Sequence, residues 1–321
     1  MPRQARASSS YPKTKATKLK NKGKLKTNYT LFKMKLNRLL FLIVLLNQTG
    51  FAQPATEVYL LDIKKDGSSF SIVPNSKPIN ISNNSGYDNQ PSFIEKLNAV
   101  AYVSSRNKKP TDVFLYDLAT ATTKQFTNNS QAEYSPKTTS DGKFISVVKD
   151  TDQNLTRISL DGLVTEKLYT SKDSIGYYCW LNESEIAAFT LSKPKVTLKL
   201  IHIKNKTEKY LTDSIGRSLY KYRDGIVICQ KLKKGNCVSF IDKKGTITQL
   251  IELPKDTEDF YLTDDGWLFY SNESSLIYCN VKSKNKAWQE LASLKAMGIS
   301  KIFRLAVNQD KNKLVFVSEG Q

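Results

Sequence analysis

The sequence predicts an all-β fold, a six-bladed β-propeller with four-stranded antiparallel blades, in which strands from both ends of the chain share the last blade (2+2). Three observations predict it. A pattern of four short strands recurs every 40 to 46 residues, which is the period of propeller blades. The final repeat contains only two strands, and two spare strand-like segments lie nearer the N-terminus. Joining these segments would leave no unpaired sheet edge.

The first repeat shows the plan of a blade. Residues 88–93 are predicted as the inner strand that lines the channel, 99–104 as the second strand, 112–118 as the third and 124–127 as the outer fourth. These segments are rich in Val, Phe and Tyr and are separated by Asn, Asp and Lys, a composition typical of strands and turns.

The later repeats follow the same order. The segment from Ala287 (AWQELASL) could be helical by propensity, and only its position in the repeat predicts a strand there. The six inner strands are predicted to begin near Tyr87, Glu133, Ile175, Ile215, Glu258 and Ile299.

Two segments near the N-terminus are predicted to complete the sixth blade. EVYLLDI, from Glu57, resembles a third strand, since third strands here end in an apolar residue followed by Asp, as at Asp117, Asp161 and Asp242. That Asp is expected to cap the turn into the fourth strand with its side chain. KPINIS, from Lys77, is predicted as the fourth strand.

The charge of the chain is unevenly distributed. Residues 1–52 contain 12 of the 49 Lys and Arg residues and none of the 30 Asp and Glu residues, so the remainder carries 37 basic and 30 acidic groups, a net +7. The strongly basic balance therefore belongs to the N-terminus, and it does not indicate a nucleic-acid partner for the folded body.

The N-terminal segment is predicted to direct export. Lys35 and Arg38 precede the apolar run 39–46 (LLFLIVLL), and small residues precede a cleavage site after Ala52, which together describe a secretory signal peptide. Gln53 follows that site, so a lipoprotein anchor on Cys is not expected. We predict that residues 34–52 are the signal peptide and 53–321 the propeller. Residues 1–33 are either a disordered basic leader or lie before a true start at Met34; a nucleic-acid or membrane-binding arm is the rival interpretation.

Four cysteines occur in the predicted propeller. Cys229 and Cys237 lie on consecutive strands about the turn at Lys233, so we predict a possible disulfide between them across the hairpin. The alternative is that both are small buried side chains. Cys179 and Cys279 are expected in the core.

Familiar catalytic patterns are absent from the sequence. His202 is the one histidine, so a cluster of His ligands for a metal is excluded, and no GxSxG motif accompanies it as a triad would require. We expect His202 to be a partly exposed residue at a strand end. Carboxylates recur before the inner strands and could act in pairs on a sugar, but Asp is also common in turns. No cofactor and no metal are predicted.

Candidate binding residues lie in the loops from each outer strand to the next inner strand. Such loops gather at one mouth of a propeller channel. Tyr and Arg side chains there would offer flat contact area and fixed donors to a peptide or sugar. The Tyr side chains could equally pack between adjacent blades. The candidates are Tyr87, Asp88, Glu133, Tyr134, Tyr177, Arg217 and Asp259.

Several segments resemble the repeat of TolB-like β-propellers, and the similarity covers residues 57–320. The resemblance implies a six-bladed periplasmic or secreted propeller, here of an exported bacterial single-domain subgroup, and implies no established activity. The first repeat departs from the pattern, with FIEKLNA in place of a Ser-Pro-Asp-Gly-Lys turn. The matching segments are YDNQPSF (87–93), AYVSSR (101–106), DVFLYDL (112–118), YSPKTTSDGKFIS (134–146), IGYYCWL (175–181), IGRSL (215–219) and ISKIFRLAV (299–307).

These observations favour a binding module of the bacterial cell envelope that recognises a protein, peptide or glycan at the channel mouth, and that is not an enzyme. The alternative is an enzyme on a propeller scaffold, a glycan lyase or hydrolase. We expect a periplasmic or secreted monomer that binds no nucleic acid and keeps no membrane span after the signal is cleaved. A purely structural scaffold is the third possibility.

Overall fold

The computed structural model describes residues 55–107, 109–150, 154–254 and 257–320. They form strands with two short 3₁₀ turns, at Glu95–Leu97 and Lys295–Met297. Within these ranges no helix has the length and apolar character needed to cross a membrane. The leader and signal-peptide predictions fall on residues outside the described ranges.

The first blade is a four-stranded antiparallel meander, as predicted. Its strands are β4 (Tyr87–Ile94), β5 (Ala99–Ser105), β6 (Asp112–Asp117) and β7 (Thr122–Gln125). The two middle strands are almost continuously buried while β7 is exposed throughout. This gradient arises because a blade packs against neighbours on both faces and meets solvent at its outer edge.

The next four blades are separate four-stranded sheets whose strands follow chain order. The segment at Ala287 is a strand, as its position in the repeat predicted. Blade 2 has β8 (Glu133–Thr138), β9 (Phe144–Lys149), β10 (Asn154–Ser159) and β11 (Thr165–Thr170); blade 3 has β12 (Ile175–Asn182), β13 (Glu185–Thr190), β14 (Thr197–His202) and β15 (Thr207–Thr212); blade 4 has β16 (Leu219–Tyr222), β17 (Gly225–Leu232), β18 (Gly235–Ile241) and β19 (Ile247–Glu252); blade 5 has β20 (Phe260–Leu262), β21 (Trp267–Asn272), β22 (Ser275–Asn280) and β23 (Gln289–Ser293).

The sixth, closing blade joins both ends of the described chain. The C-terminal strands β24 (Ile302–Val307) and β25 (Lys313–Glu319) form its inner part, and β1 (Thr56–Asp66) pairs antiparallel with β25 over seven residue pairs. The prediction that EVYLLDI is the third strand is thereby confirmed. A single parallel pair, Thr56 with Tyr87, links this blade to blade 1 in one nine-stranded sheet.

The outer strand of the closing blade differs from the prediction. It consists of two pieces on one edge of β1, namely β2 (Ser69–Ile72) and the two-residue β3 (Ile79–Asn80). The predicted fourth strand from Lys77 is thus mostly irregular, and the hairpin that follows β1 contributes the longer piece. A tight Asp66–Ser69 turn makes that local pairing available before the chain reaches Lys77.

The hydrophobic core lies between blades. Among the described residues there are six buried clusters, and each contains side chains from two neighbouring blades. Around the ring, one cluster lies between each pair of neighbouring blades, from blades 1 and 2 to the closing blade and blade 1. A cluster in every gap means that the ring is closed, because each blade face is covered by the next blade.

The third-strand aspartates cap turns as predicted. Asp117 accepts hydrogen bonds from the N–H groups of Ala119 and Thr120 at 2.8 and 2.9 Å. Asp161 and Asp242 hold the equivalent turns in blades 2 and 4. Asp62 instead contacts Lys313 at 2.7 Å, since a hairpin follows it in place of the usual turn.

The predicted disulfide between Cys229 and Cys237 is wrong. The hairpin between β17 and β18 turns over the two residues Lys233 and Lys234, which places Cys229 opposite Val238 and Cys237 opposite Gln230. The two cysteines therefore point to opposite faces of the sheet. Both thiols are free and buried, as are the predicted core residues Cys179 and Cys279.

Candidate functional site

A small cavity lies on the axis of the ring, at the end where the inner strands begin. Its volume is about 80 Å³, and all six inner strands or the loops before them contribute to its lining. We call this end the upper mouth. One lining residue from each blade, in ring order, is Gln90, Lys137, Tyr177, Arg217, Asp259 and Arg304.

Bulges in the inner strands shape this cavity. The pairing register shifts within β4, β8, β12 and β24, and a bulge bends a strand and redirects its side chains. At two of these bulges a non-glycine residue has a positive φ, 56° at Gln90 and 54° at Ser135. The Gln90 side chain accepts the Ser135 N–H at 2.7 Å, which ties the bulges of blades 1 and 2 together.

Three predicted site residues line the cavity: Tyr177, Arg217 and Asp259. Arg217 donates two hydrogen bonds to the Asp259 carboxylate, at 2.7 and 2.6 Å. Burial lowers the pKa of Arg217, but the Asp259 hydrogen bonds and charge outweigh it and the net shift is upward. The two side chains form a salt bridge in which their charges offset each other.

Tyr87 and Tyr134 lie beside the cavity without lining it. Burial raises the pKa of the Tyr87 hydroxyl to about 12, and the charges of Arg304, Tyr177, Tyr134 and Arg217 act on it as well. The predicted aromatic and cationic side chains are thus brought together at one mouth.

Tyr177 packs against its own blade and also presents its hydroxyl to the channel. Its ring packs edge-on against Phe189 with 5.8 Å between centroids, and its hydroxyl faces the channel and accepts a hydrogen bond from Arg304 at 2.6 Å. Packing within the blade thus presents the hydroxyl to the channel.

Asp88 and Glu133 are placed elsewhere. Both are fully buried, and their carboxylates contact neighbouring loops. Asn84 donates to Asp88 at 3.0 Å and Asn129 to Glu133 at 2.9 Å, each from four residues upstream.

The buried carboxylates belong to a clamp between consecutive blades. The Thr56 hydroxyl donates to the Asp88 carbonyl and the Thr111 hydroxyl to the Glu133 carbonyl, both at 2.8 Å. Glu133 also accepts from Thr127 and pairs with Lys149. The repeated Asn-Asn-Ser at residues 83–85 and 128–130 is the sequence signal of this clamp.

Arg304 is a site residue that sequence reasoning missed. Its guanidinium donates to the Asn89 side chain at 3.2 Å and to the Tyr177 hydroxyl, and lies 5.0 Å from the centre of the Tyr177 ring. These partners are neutral. The available signal was one arginine inside the otherwise apolar strand IFRLAV.

Lys137 is the second missed residue. It is half-buried on β8, and its ammonium lies 5.8 Å from the centre of the Tyr220 ring. Within the described residues it forms no ion pair. Burial lowers the pKa of Lys137; the Cys179 thiol opposes this and the Arg304 charge adds to it.

A second, larger cavity of about 730 Å³ continues along the axis towards the opposite, lower mouth. Charges of both signs lie there, including Glu95, Lys96 and Asp265. The two cavities share four lining residues, which we call the constriction: Pro91, Lys137, Tyr220 and Leu305.

His202 ends strand β14 and is half-buried, as predicted, and its Nδ1 accepts the N–H of Asn205 at 3.2 Å. It therefore caps a turn. In the part of the chain that the structure describes, no group of three or more His, Cys, Asp or Glu side chains is placed to hold a metal.

Comparisons with known proteins identify the fold. No family model and no curated protein matches the chain. Among solved structures, a protein assigned to TolB from Agrobacterium tumefaciens superposes with a TM-score of 0.62 and 8% identity over 84% of this chain and 99% of that one. The fold is a TolB-like β-propeller.

Two further structures show how widely this fold is used. TolB from Acinetobacter baumannii gives a TM-score of 0.52 and 14% identity over 73% of this chain, which spans only 65% of that TolB. A gluconolactonase from Xanthomonas campestris gives a TM-score of 0.54 and 10% identity over 85% of this chain and 99% of that one. Since the similar folds include an enzyme, the fold alone does not define the activity.

Proposed function

We propose that this protein is an exported binding module of the bacterial cell envelope, which recognises a protein, peptide or glycan at the upper mouth without catalysis. It would belong to a single-domain subgroup of TolB-like propellers. It would act as a monomer, without nucleic acid and without a membrane span once its signal peptide is removed after Ala52.

The observation that carries this proposal is the convergence of all six blades on one cavity. Tyr177, Arg217 and Arg304 bring an aromatic face and fixed donors to the same mouth, and Tyr and Arg are the side chains enriched at binding hot spots. A channel needed only for structure would be filled most stably by apolar side chains.

The arrangement of carboxylates favours binding over glycan chemistry. Hydrolysis of glycosides generally needs two carboxyl groups flanking the bond, one of them protonated. At this cavity Asp259 is held by Arg217 through two hydrogen bonds, and Asp88 and Glu133 are buried in the clamp. None of the three is placed as a free acid at the upper mouth.

Envelope placement is supported by the sequence. Lys35, Arg38 and the apolar run 39–46 precede Ala52 in the order of a secretory signal. The proposal therefore places any partner in the periplasm or outside the cell.

The test is retention of envelope components on the immobilised protein. The wild type is compared with a Tyr87/Tyr134/Arg217 triple-alanine variant and with a control, Tyr210→Ala with Lys209→Ala, which removes exposed side chains of β15. We expect a component that the wild type and the control retain and the triple variant loses. Thermal melting of each variant verifies that it is folded.

Two results would contradict the proposal. One is retention of the same components by all three proteins, which would place recognition away from the upper mouth. The other is turnover of an envelope glycan by the wild type that is lost with Asp259→Asn, which would indicate an enzyme.

A further inference from the structure

Two cations at the centre of the channel lack an anionic partner. Of the three cationic side chains that line the upper cavity, Arg217 is neutralised by Asp259. Arg304 is bonded to the neutral Asn89 and Tyr177 side chains. Lys137 has the Tyr220 ring nearby and forms no ion pair with any described residue. Two positive charges therefore remain at and beside the constriction.

Two other shielded lysines among the described residues differ from Lys137, because each has a carboxylate partner. Lys199 is only 15% exposed and contacts both Asp173 and Glu208, at 2.5 and 2.7 Å. Lys149, 16% exposed, pairs with Glu133 at 3.2 Å. Removing a cation from water is costly unless a counter-charge compensates. Lys149 and Lys199 have such a counter-charge, and Lys137 does not.

We infer that Lys137 and Arg304 form an anion site at the constriction, which binds the carboxylate of an organic acid with an apolar body. This deepens the proposed function and rests on it. The ammonium and guanidinium would donate charge-assisted hydrogen bonds to the carboxylate. The body of the acid would lie against Pro91, Tyr220 and Leu305, which line both cavities.

The dimensions of the channel favour a small acid or an acidic group at the tip of a ligand. The upper cavity of about 80 Å³ has room for several water molecules, since one water needs about 10–15 Å³. A carboxylate can replace such waters without moving a blade. Burial raises the pKa of the Cys179 thiol to about 12, so this neighbour of Lys137 does not act as the counter-ion.

The experiment uses benzoate as the probe, with benzamide as its uncharged counterpart and inorganic phosphate as a different anion. Titrations of the purified full-length protein are followed by ligand-observed NMR. We expect saturable binding of benzoate that is about 10-fold or more tighter than binding of benzamide, since hydrogen bonds to a charged group are the stronger ones.

Variants connect that binding to the two cations. Lys137→Met and Arg304→Met should each weaken benzoate binding about 10-fold or more, and Lys137→Arg should retain most of it because the charge remains. Lys209→Met, on the exposed strand β15, is the matched control and should bind like the wild type.

The inference is overturned if no saturable benzoate binding occurs, if benzamide binds as tightly, or if Lys137→Met and Arg304→Met bind benzoate unchanged. If phosphate binds more tightly than benzoate, the preferred ligand group is a phosphate, and the proposed carboxylate is wrong. Loss of benzoate binding in Lys137→Met, together with full retention of an envelope partner, would uphold the anion site and separate it from partner recognition. Unchanged benzoate binding by Lys137→Met, together with loss of the envelope partner, would support the binding module and refute the anion site.

Discussion

Asp88 shows how one buried carboxyl can make stability depend on pH. Burial raises its pKa from 3.8 to about 6, against the hydrogen bonds from Ser104 and Asn84. Its Oδ1 has no hydrogen-bond partner among the described residues. Because the folded protein binds this proton more tightly than the unfolded chain, the contribution to stability is largest below the unfolded pKa and is lost as pH rises through about 6.

Asp88→Asn should flatten this part of the pH profile. Between about pH 4 and pH 6 the wild type is expected to lose roughly 3 kcal/mol of unfolding free energy through this group, since one pKa unit is worth about 1.4 kcal/mol. Urea unfolding at a series of pH values measures it. Asp66→Asn, at an exposed position, is the control and should keep the wild-type slope; the same slope in Asp88→Asn would refute the assignment.

The Lys137 ammonium is expected to destabilise the folded protein relative to an uncharged side chain of similar length. Its lowered pKa means that the folded state disfavours the charged form, so below the ordinary lysine pKa this residue reduces stability. Lys137→Met keeps a similar length without the charge and is expected to raise the unfolding free energy by roughly 1 kcal/mol. Urea midpoints at neutral pH test this against Lys209→Met, which should change little; a lower midpoint for Lys137→Met would show that the ammonium has a stabilising partner.

Strand alternation explains which candidate residues the sequence placed correctly. Neighbouring residues on a strand point to opposite faces. Tyr134 was therefore predicted beside the channel correctly, while the adjacent Glu133 points into the clamp between blades. Tyr87 and Asp88 are divided in the same way. Arg304 and Lys137 could not be found from composition, because their importance depends on the absence of a nearby carboxylate, which only the packed ring reveals.

Among the elements, the strands were predictable and their registers were not. Apolar runs such as those of β5 and β13 predict strands because each blade is covered on both faces. The register of the hairpin formed by β17 and β18 was predicted incorrectly. The turn is centred between Lys233 and Lys234 and not on Lys233, which shifts the pairing by one residue. A shift of one residue puts each side chain of a strand on the other face. The divided outer strand of the closing blade was missed because SFSI at 69–72 is too short to be distinguished from a turn by pattern alone.

Gly225, at the start of β17, allows two strands to approach closely. A Cβ at this position would lie 2.2 Å from the carbonyl oxygen of Ile241 and 2.7 Å from the Phe240 ring. Gly225→Ala must therefore displace backbone, and we expect a loss of about 3 kcal/mol or more in unfolding free energy, at the upper end of overpacking costs.

Gly67→Ala is the control for that prediction. Gly67 has a φ of +57° and no atom within 4 Å of the added carbon, so it should cost only the left-handed conformation, about 1–2 kcal/mol. Urea unfolding of both variants provides the comparison. Equal or smaller destabilisation by Gly225→Ala would mean that β17 and β18 do not approach as closely as described.

At the scale of the whole molecule, stability depends on closing the ring. Residues of β1 contribute to two of the six core clusters, on either side of the closing blade. Deletion of residues 57–82 removes β1, β2 and β3, and it should unfold the entire propeller because two blade faces lose their cover.

Thermal melting followed by near-ultraviolet circular dichroism tests the deletion. Replacement of Lys233 and Lys234 by Asn and Gly changes a hairpin loop far from the closing blade, and this control should melt like the parent. A deletion variant that melts cooperatively at the parent temperature would disprove closure by shared strands.

The pairing of β1 with β25 also sets the order in which the protein can be made. Strand β1 leaves the ribosome before the other described strands, yet its main partner β25 is synthesised after all of them. Blades 1 to 5 need only their own segments and can form during synthesis, whereas β1 must wait with an apolar face uncovered. A chain released early would hold five finished blades and one unprotected strand, the kind of species that aggregates or is captured by chaperones. For this architecture, synthesis of β25 decides whether β1 is buried.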